Sequence, residues 1–448
     1  MTQPEKVDLL LKGGTLVTMD SQRRMIENGA LAVRDNKIFM VGSAKEVLPK
    51  VEAQKTLDVS GQVVTPGFIN AHGHWAMTLF RGMVDDRPLE AWLSRVWKME
   101  LAFTSPKNVV AGAQLAMAEM IRSGTTCAAD MYWQFRHSTE AALQANFRLV
   151  NGPTFAEIKG FGSRPLSTPK NAHEFINRYK DEPLVVLCVQ VHAAYTASLQ
   201  LMEEARRIAE ESGAVFITHA SESRAEVENV RKMYGKTPIE VLQSVGLLGG
   251  HTLLAHCVHL SDEEIQLLAE TKTSVAHCPS SNLKLSSGIA RVAEMLKAGV
   301  NVALGTDGPA SNNDLDMLHE AQLAALVQKG VSGDPTVLPA EEVFAMMTIN
   351  GARAIGAAER LGSLEAGKLA DITVLDFNAA HLTPCYDIYS HLIYAARASD
   401  VRHVIINGKL VMEDRNLLTL DEEVVQQQVR QIAKGIKRSL NILGMSTR

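Results

Sequence analysis

The segment VVTPGFINAHGHW, residues 63–75, is an apolar run that ends in two histidines separated by one glycine. An apolar run of this length, bounded by turn residues, is typical of a buried strand. Side chains alternate between the two faces of an extended chain, so His72 and His74 should point the same way. The segment therefore predicts a strand whose carboxyl end presents two imidazoles to one site.

Short apolar runs that resemble strands recur through the middle of the chain. Short apolar runs alternate with helical patterns such as SLQLMEEARRIAEESG, residues 198–213, which indicates strand–helix units and a parallel sheet. Eight such units over roughly 300 residues predict a (β/α)8 TIM barrel, an α/β fold. The predicted strands lie near residues 63–70, 125–130, 147–152, 184–192, 214–219, 252–256, 273–276 and 301–306.

Both ends of the chain are rich in strands and turns. Asp35-Asn36 and Asn407-Gly408 each stand between two apolar runs, which is typical of a hairpin turn. We expect these ends to form one small β-sandwich domain beside the barrel. The predicted boundaries are 1–66 and 367–420 for the sandwich, 67–366 for the barrel and 421–448 for an amphipathic helix.

Composition excludes several classes of protein. Hydrophobic residues make up 46% and charged residues 21%, and the net charge of −5 without a basic run argues against a nucleic-acid partner. No apolar run approaches the roughly 18 residues of a membrane span. The start of the chain is too charged for a secretory signal, and five irregularly spaced cysteines argue against a disulfide framework. We expect a cytoplasmic protein.

Polar residues collect at the predicted strand ends, where the active sites of such barrels lie. These residues are His72, His74, His192, His219, Glu222, His256 and Asp307. A single histidine near a strand end is more often a structural residue, but this many in barrel order favour a joint site. Three imidazoles and one carboxylate suit zinc, with iron or manganese as alternatives. A position left for water would make the metal site catalytic.

Two neighbouring residues keep two interpretations each. Trp75 follows the second histidine and either packs beneath the first loop or forms an aromatic wall of a substrate pocket, and Trp133 carries the same ambiguity. His277 ends the seventh predicted strand, and it is either a core residue or a group that supports the site from behind.

On these residues the chain resembles the amidohydrolase superfamily, in the branch that binds one metal. The similar blocks are PGFINAHGH, HASE, LLAHCVHL, SNLKL, GTDGPASNN, NGARAIG and GSLEAGKLADITVLD. Within that superfamily the chain is most similar to methylthioadenosine/S-adenosylhomocysteine deaminases and to s-triazine, guanine and pterin hydrolases. The resemblance implies a metal-dependent hydrolase with a small-molecule substrate, and a homodimer or homotetramer.

The resemblance also implies roles for single residues. The metal ligands would be His72, His74, His219 and Asp307. Glu222 would be the general acid and base, and His256 together with Asp307 would orient the attacking water. His192 stands near the place where relatives with two metals carry a modified lysine, which favours one metal. Contacts to the substrate would come from Glu100 on ribose and from His192 and Ser311 on the purine ring.

The chain departs from the resembled pattern at His72-Gly73-His74-Trp75, at His192-Ala193-Ala194-Tyr195 and after the third strand. Relatives that bind homocysteine carry an arginine after the third strand, and VNGPTFAEIKG has none, so that Arg164 is the candidate substitute. Three hypotheses follow: a deaminase of an adenosine-like nucleoside, a hydrolase of s-triazines, guanine or pterins, and a scaffold of this fold that no longer catalyses.

Overall fold

Eight parallel strands surround the centre of the molecule, as predicted. The computed structural model describes residues 3–158 and 167–442. Neighbouring strands pair in chain order, and a short strand, Thr154–Phe155, adds to the fourth. The barrel strands, first to eighth, are Phe68–Asn70, Thr125–Ala129, Arg148–Asn151, Val185–Ala193, Val215–Ala220, Thr252–His256, Ser274–His277 and Val302–Leu304.

Backbone hydrogen bonds close the barrel between its first and last strands. The N–H of Ala71 donates to the carbonyl of Leu304 at 2.9 Å, and the N–H of Asp307 donates to the carbonyl of His72 at 3.0 Å. These bonds lie at the carboxyl ends of the two strands. The seam of the barrel therefore runs directly through the residues predicted to bind metal.

Helices cover the outside of the barrel. They are Leu89–Phe103, Pro106–Arg122, Phe135–Gln144, Pro169–Tyr179, Leu199–Ser212, Arg224–Tyr234, Pro238–Ser244, Asp262–Thr271, Pro279–Lys284, Val292–Ala298, Met317–Ser332, Ala340–Met346 and Ile349–Ala354. A single-turn helix, Ala44–Val47, lies before the barrel, and Ile388–Tyr394 and Glu422–Ile442 follow it. Short 3₁₀ turns occupy Leu48–Lys50, Trp75–Phe80, Ala194–Thr196, Ala380–Leu382 and Ala398–Asp400.

One barrel helix shows why these segments become helical. Ser198 caps the helix Leu199–Ser212 by accepting a hydrogen bond from the backbone N–H of Leu201, and Gly213 ends it in the left-handed conformation. Its buried residues are Met202, Ala205, Ile208 and Ala209, a helical spacing that turns one apolar face toward the barrel.

Two antiparallel-rich sheets pack together beside the barrel. Four strands form the first sheet: Glu5–Lys12, Gly29–Arg34, Lys37–Ser43 and Val51–Asp58. Seven strands from both ends of the chain form the second: Thr15–Val17, Met25–Ile26, Gln62–Pro66, Ile372–Asp376, Val401–Ile406, Lys409–Glu413 and Asn416–Leu417. Leu11 and Leu31 of the first sheet share an apolar core with Val64 and Ile372 of the second. The predicted β-sandwich from both termini is confirmed.

The first predicted strand, 63–70, is in fact two strands. Gln62–Pro66 pairs with Ile372–Asp376 in the sandwich, whereas Phe68–Asn70 pairs with the second barrel strand. The break falls at Gly67, where a Cβ atom would collide with the side chain of Thr126. Only glycine allows the chain to pass this closely from one sheet to the other.

Both predicted hairpin turns are present. Asp35-Asn36 joins Gly29–Arg34 to Lys37–Ser43, and Asn407-Gly408 joins Val401–Ile406 to Lys409–Glu413. The terminal helix Glu422–Ile442 buries Val425, Val429, Ile436 and Leu440. Within the described residues, none of the helices has the length and apolar character needed to cross a membrane.

A buried ion pair joins the barrel to the sandwich. Arg148, on the third barrel strand, donates from Nε to Asp371 Oδ2 at 2.6 Å and from Nη2 to Oδ1 at 2.9 Å. Asp371 precedes the sandwich strand Ile372–Asp376, and it also accepts from the backbone N–H of Asn407 at 2.8 Å. Removing one partner of such a pair leaves an uncompensated buried charge.

We expect Asp371→Ala to lower the free energy of unfolding by about 3–5 kcal/mol, because the Arg148 guanidinium stays buried without its partner. Glu210→Ala is the matched control, since Glu210 pairs with Arg206 on an exposed helix face and should contribute under about 1 kcal/mol. Urea denaturation followed by circular dichroism measures both values. Equal losses in the two variants would contradict the structural role given to the buried pair.

Candidate metal centre and active site

The two histidines of the opening segment lie in the loop after the first strand. That strand ends at Asn70, so the alternation of side chains along a strand does not by itself aim His72 and His74, contrary to the prediction. The loop is instead tied to the eighth strand: Asn70 Nδ2 donates to Thr306 Oγ1 at 2.7 Å and its Oδ1 accepts from the Thr306 N–H at 3.0 Å. Gly305 permits this approach, because a Cβ there would lie 2.9 Å from the Cβ of His72.

Four predicted ligands converge at the carboxyl end of the barrel. All their ligand atoms lie within 4.8 Å of one another in the group His72, His74, His219 and Asp307. Asp307 Oδ1 lies 3.4 Å from His72 Nε2 and 3.2 Å from His74 Nε2. Tetrahedral zinc with bonds of about 2.0–2.2 Å separates its ligand atoms by roughly 3.3–3.6 Å. The spacing therefore suits one ion of this kind.

Backbone carbonyls orient two of the imidazoles. His74 Nδ1 donates to the carbonyl of Met131 at 2.6 Å, and His219 Nδ1 donates to the carbonyl of His192 at 2.6 Å. In its neutral form each ring then has its proton on Nδ1 and its lone pair on Nε2, which is the arrangement that outer hydrogen bonds impose on metal-binding histidines. The two Nε2 atoms face each other at 3.4 Å. Two facing lone pairs repel unless a proton or a metal ion lies between them.

Burial and charge agree with a cation at this place. Burial lowers the pKa of His72 to about 4 and that of His219 well below its usual value, so both rings stay neutral, the form that binds metal. Burial also lowers the pKa of His74, but the contact with Asp307 outweighs it and raises that pKa to about 9, so that without a metal this ring keeps a second proton, the positive charge that a metal ion would replace. Neither ring nitrogen of His72 has a hydrogen-bond partner among the described residues. The donor set fits one divalent metal, and zinc suits it.

The second oxygen of Asp307 is held from behind. Ser281 Oγ and Ser311 Oγ both donate to Asp307 Oδ2, at 2.6 and 2.7 Å. The carboxylate thus turns Oδ1 toward the histidines and Oδ2 away from them. Ser311 is fully buried and does not line the pocket, so the structure places its hydroxyl on Asp307 and not on a substrate-facing surface.

Glu222 and His256 stand together beside the metal group. Glu222 Oε2 lies 3.8 Å from His256 Nε2. The Glu226 carboxylate accepts the backbone N–H of Ser221 at 3.1 Å and that of Glu222 at 2.6 Å, which fixes the turn carrying Glu222. Burial, reinforced by Asp307, raises the pKa of Glu222 well above its usual value. A carboxyl with a raised pKa can hold a proton and return it, as general acid–base catalysis requires.

An aromatic pocket opens above these groups. His74, His192, His219, Glu222, His256 and Asp307 contribute its polar surface. The apolar lining consists of Met77, Leu89, Trp92, Leu93, Trp97, Met131, Tyr132, Trp133, Tyr195 and Leu285. His192 stands with Trp97 in an edge-to-face pair at 5.7 Å between ring centroids. Such a pocket suits a flat ring with apolar substituents.

Trp75 belongs to the scaffold. Its side chain is fully buried in the main core and packs edge-to-face on Phe147 at 5.5 Å. Its indole N–H donates to the carbonyl of Ala129 at 3.0 Å, and its backbone N–H donates to Asp130 Oδ1 at 2.9 Å. Trp75 does not line the pocket, whereas Trp133 does. In the structure Trp75 therefore packs in the core, and Trp133 faces the pocket.

Of the remaining predicted site residues, those that the structure describes do not line the pocket directly. Glu100 is fully buried and outside the lining, but its Oε1 accepts from the Tyr132 hydroxyl at 2.8 Å, and Tyr132 lines the pocket. Burial raises the pKa of Glu100 to about 8, against the effect of that hydrogen bond. Arg164 lies outside the described residues. His277 is buried, and within the described part of the chain its ring makes no hydrogen bond to the site.

Sequence reasoning missed several residues of the pocket and its support. The helix Leu89–Phe103 supplies Trp92 and Trp97, and the signal for them was the helical spacing of Leu89, Trp92 and Val96, which marks one apolar face. The support from Ser281 and its neighbour Asn282 could not be predicted from the similar block SNLKL, residues 281–285, because the block does not reveal which partners its side chains meet.

An eight-stranded barrel with three histidines, an aspartate and a buried glutamate at its carboxyl end defines a metal-dependent hydrolytic enzyme. The chain belongs to the amidohydrolase family, whose model matches residues 63–411.

Three known proteins are similar to this chain over nearly its whole length. The chain is 46% identical over 434 residues to a 5-methylthioadenosine/S-adenosylhomocysteine deaminase of Syntrophobacter fumaroxidans, covering 96% of this chain and 99% of that protein. It is 38% identical over 439 residues to a 5'-deoxyadenosine deaminase of Methanosarcina acetivorans, covering 97% and 99%. A crystal structure of an adenosine deaminase from Xanthomonas campestris with bound zinc superposes with a TM-score of 0.93 at 34% identity, covering 97% and 100%.

We expect the purified protein to bind about one equivalent of zinc, and His74→Ala to reduce this to under about a fifth after dialysis, because three donors hold zinc far more weakly than four. Elemental analysis measures the stoichiometry. His137→Ala is the control, since His137 is half-exposed on the helix Phe135–Gln144. Full zinc occupancy in His74→Ala would contradict the site.

Proposed function

We propose that this chain is a metal-dependent hydrolytic deaminase of an adenosine-like nucleoside, such as 5'-methylthioadenosine, S-adenosylhomocysteine or adenosine. The reaction adds water to the amine-bearing carbon of the purine and releases ammonia. The observation that carries the proposal is the position of Glu222 beside His256 and Asp307 at the floor of an aromatic pocket. The names of the similar proteins support the choice of nucleoside.

A small number of residues would carry out the proposed reaction. When bound, a divalent metal lowers the pKa of a coordinated water from about 15.7 toward about 7 and so supplies a nucleophile near neutral pH. Glu222 accepts the proton of the attacking water and passes it to the ring nitrogen beside the attacked carbon. His256 and Asp307 orient that water. The added hydroxyl then gives its remaining proton to the amine, the carbon–nitrogen bond breaks as the carbonyl forms, and the amine leaves as ammonia.

The walls of the pocket support a purine substrate. Trp92 and Trp97 approach from the helix Leu89–Phe103, and Trp133 from the loop after the second strand, so that flat rings face the cavity. We propose that His192 contacts the purine ring, because it lines the pocket beside His219 at 4.9 Å between ring centroids. Ser311 is proposed to orient the Asp307 carboxylate through its hydrogen bond. Arg164 stays a proposed contact to the substituent that the substrate carries at its far end.

Glu100 is the proposed ribose contact. Its Oε2 has no hydrogen-bond partner among the described residues although it is fully buried, and an unpaired buried oxygen of this kind is costly. Tyr132 binds the other oxygen and also lines the pocket, so it holds the carboxyl close to the place that a ribose would occupy. Two ribose hydroxyls would complete the hydrogen bonds of this carboxyl.

A second candidate is a hydrolase of s-triazines, guanine or pterins. The observation that favours it is the absence of Glu100 from the pocket lining, since such substrates have no ribose to bind. A scaffold without catalysis is the third candidate, and the complete set of donors with Glu222 counts against it.

We also propose that the protein is located in the cytoplasm and that it forms a homodimer or a homotetramer. All five cysteines are unpaired and four of them are buried, which is consistent with a reducing compartment.

We expect zinc-loaded protein to release ammonia from at least one of methylthioadenosine, S-adenosylhomocysteine, 5'-deoxyadenosine and adenosine. A coupled glutamate dehydrogenase assay measures the rate, with guanine, a pterin and an aminated s-triazine in the same panel. Glu222→Gln should reduce kcat by about 10²–10⁴-fold with its zinc retained, because the proton acceptor is lost. Release only from the ribose-free rings would favour the second candidate, and release from none would favour the scaffold.

We expect Glu100→Ala to raise KM for the nucleoside by roughly 5- to 150-fold, which corresponds to about 1–3 kcal/mol for two hydrogen bonds of about 0.5–1.5 kcal/mol each. Steady-state kinetics on the nucleoside and on its 2',3'-dideoxy analogue measure the effect, which should vanish with the analogue. An unchanged KM for the nucleoside would remove ribose from the proposal.

We expect Trp75→Phe to lower the stability of the fold and Trp97→Phe to weaken substrate binding. Trp75→Phe removes the indole hydrogen bond to the Ala129 carbonyl and should lower the free energy of unfolding by about 1–3 kcal/mol, with kcat/KM within about threefold of wild type. Trp97→Phe reduces the aromatic wall and should raise KM by roughly 2- to 13-fold with little change in stability. A larger KM effect from Trp75 than from Trp97 would contradict the scaffold role.

A further inference from the structure

One short helix touches two groups of the active site at once. The helix Pro279–Lys284 follows the seventh barrel strand, and its side chains Ser281 and Asn282 are adjacent in sequence. Ser281 Oγ donates to Asp307 Oδ2 at 2.6 Å, and Asn282 Oδ1 lies 2.8 Å from His256 Nδ1. Both side chains are at most 1% exposed, so water does not compete for these hydrogen bonds.

The contact with Asn282 determines which nitrogen of His256 carries a proton. An amide oxygen only accepts hydrogen bonds, so the imidazole must donate from Nδ1, and Nε2 is left with its lone pair. That Nε2 points into the site, 3.8 Å from Glu222 Oε2. A water there can donate one hydrogen to His256 Nε2 and keep a lone pair for the carbon that it attacks.

Other contacts make this helix a fixed support. The Glu320 carboxylate accepts the backbone N–H of Ser280 at 3.2 Å and Asn312 Nδ2 at 2.7 Å. At the other end of the helix, Lys284 Nζ donates to Asp85 Oδ1 at 2.6 Å. The helix is therefore anchored at both ends by residues that come from distant parts of the chain.

We propose that Asn282 is a positioning residue for hydrolysis: it holds the Nδ1–H tautomer of His256 and so sets the direction of the hydrogen bond between His256 and the attacking water. Ser281 holds the Asp307 carboxylate in place through its hydrogen bond to Oδ2. The helix Pro279–Lys284 therefore aligns both groups that orient the water. Asn282 does not touch the reacting atoms and acts through His256. The kinetic part of this inference rests on the proposed function, but the tautomer does not.

The first measurement is the tautomer itself, in zinc-loaded protein labelled with ¹⁵N-histidine. Two-bond ¹H–¹⁵N NMR spectra distinguish the Nδ1–H from the Nε2–H form, and His256→Gln identifies the signal of His256. We expect the Nδ1–H form in wild type and in Asn282→Asp, which keeps an acceptor, and its loss in Asn282→Leu. The Nε2–H form in wild type would overturn the inference, since the amide would then present Nδ2 to the ring.

The second measurement is kinetic. We expect Asn282→Leu to lower kcat by about 10- to 100-fold with KM within about threefold, and Asn282→Asp to recover kcat to within about fivefold of wild type. In a His256→Gln background, Asn282→Leu should cost less than about twofold, because its effect passes through the imidazole. Leu283→Ala, an exposed position on the same helix, is the control and should match wild type.

The outcomes separate the two proposals. Wild-type protein without ammonia release from any nucleoside would remove the proposed function, while the NMR spectra would still test the tautomer. An active wild type in which Asn282→Leu cuts kcat equally with and without the His256 imidazole would overturn the positioning role. Zinc content equal to wild type in every variant is required, so that loss of metal is not read as loss of positioning.

Discussion

The two Nε2 atoms of His74 and His219 face each other at 3.4 Å, and the rest of the site depends on this arrangement. In its neutral, metal-binding form each ring donates its only proton to a backbone carbonyl on the opposite side, at Met131 and at His192. Two lone pairs are thereby held against each other in a buried place. A cation relieves the repulsion, and the Asp307 carboxylate at 3.2 Å from His74 supplies the balancing negative charge.

The fold maintains this arrangement through the strands that carry it. The carbonyl of His192 lies near the end of the fourth strand and that of Met131 just after the second, and Asn70 ties the first strand to Thr306, just after the eighth. The contacts that close the barrel are thus also contacts that hold the site together. The sandwich adds stability from the opposite side, where Arg148 and Asp371 form a buried pair.

Much of this could be predicted from the sequence, and the reason is periodicity. Eight apolar runs in alternation with helices predict the barrel, and a barrel brings all strand ends to one face, so the amino-acid pattern suffices to group His72, His219 and Asp307. Trp75 could not be assigned, because a residue beside a ligand can turn inward or outward. The loop geometry after Asn70 decides that it packs in the core.

Contacts made by single side chains across long sequence distances were beyond prediction. Asn282 meets His256 across 26 residues, and Glu100 meets Tyr132 across 32, and neither separation follows a helical or strand period. The first strand also broke unexpectedly at Gly67, since an apolar run does not reveal that its two halves belong to different sheets. Patterns locate the groups that the fold repeats, whereas the supporting contacts depend on the packing of particular side chains.

The most direct test of the metal centre is the place of the ion in a zinc-loaded crystal, found by anomalous scattering at the zinc edge. We expect one strong peak about 2.0–2.2 Å from Nε2 of each histidine, His72, His74 and His219, and from Oδ1 of Asp307. Asp314, His319 and Glu320 also bring ligand atoms within 4.8 Å of one another and provide an internal comparison. A peak at that second group, with none among the histidines, would contradict the metal centre.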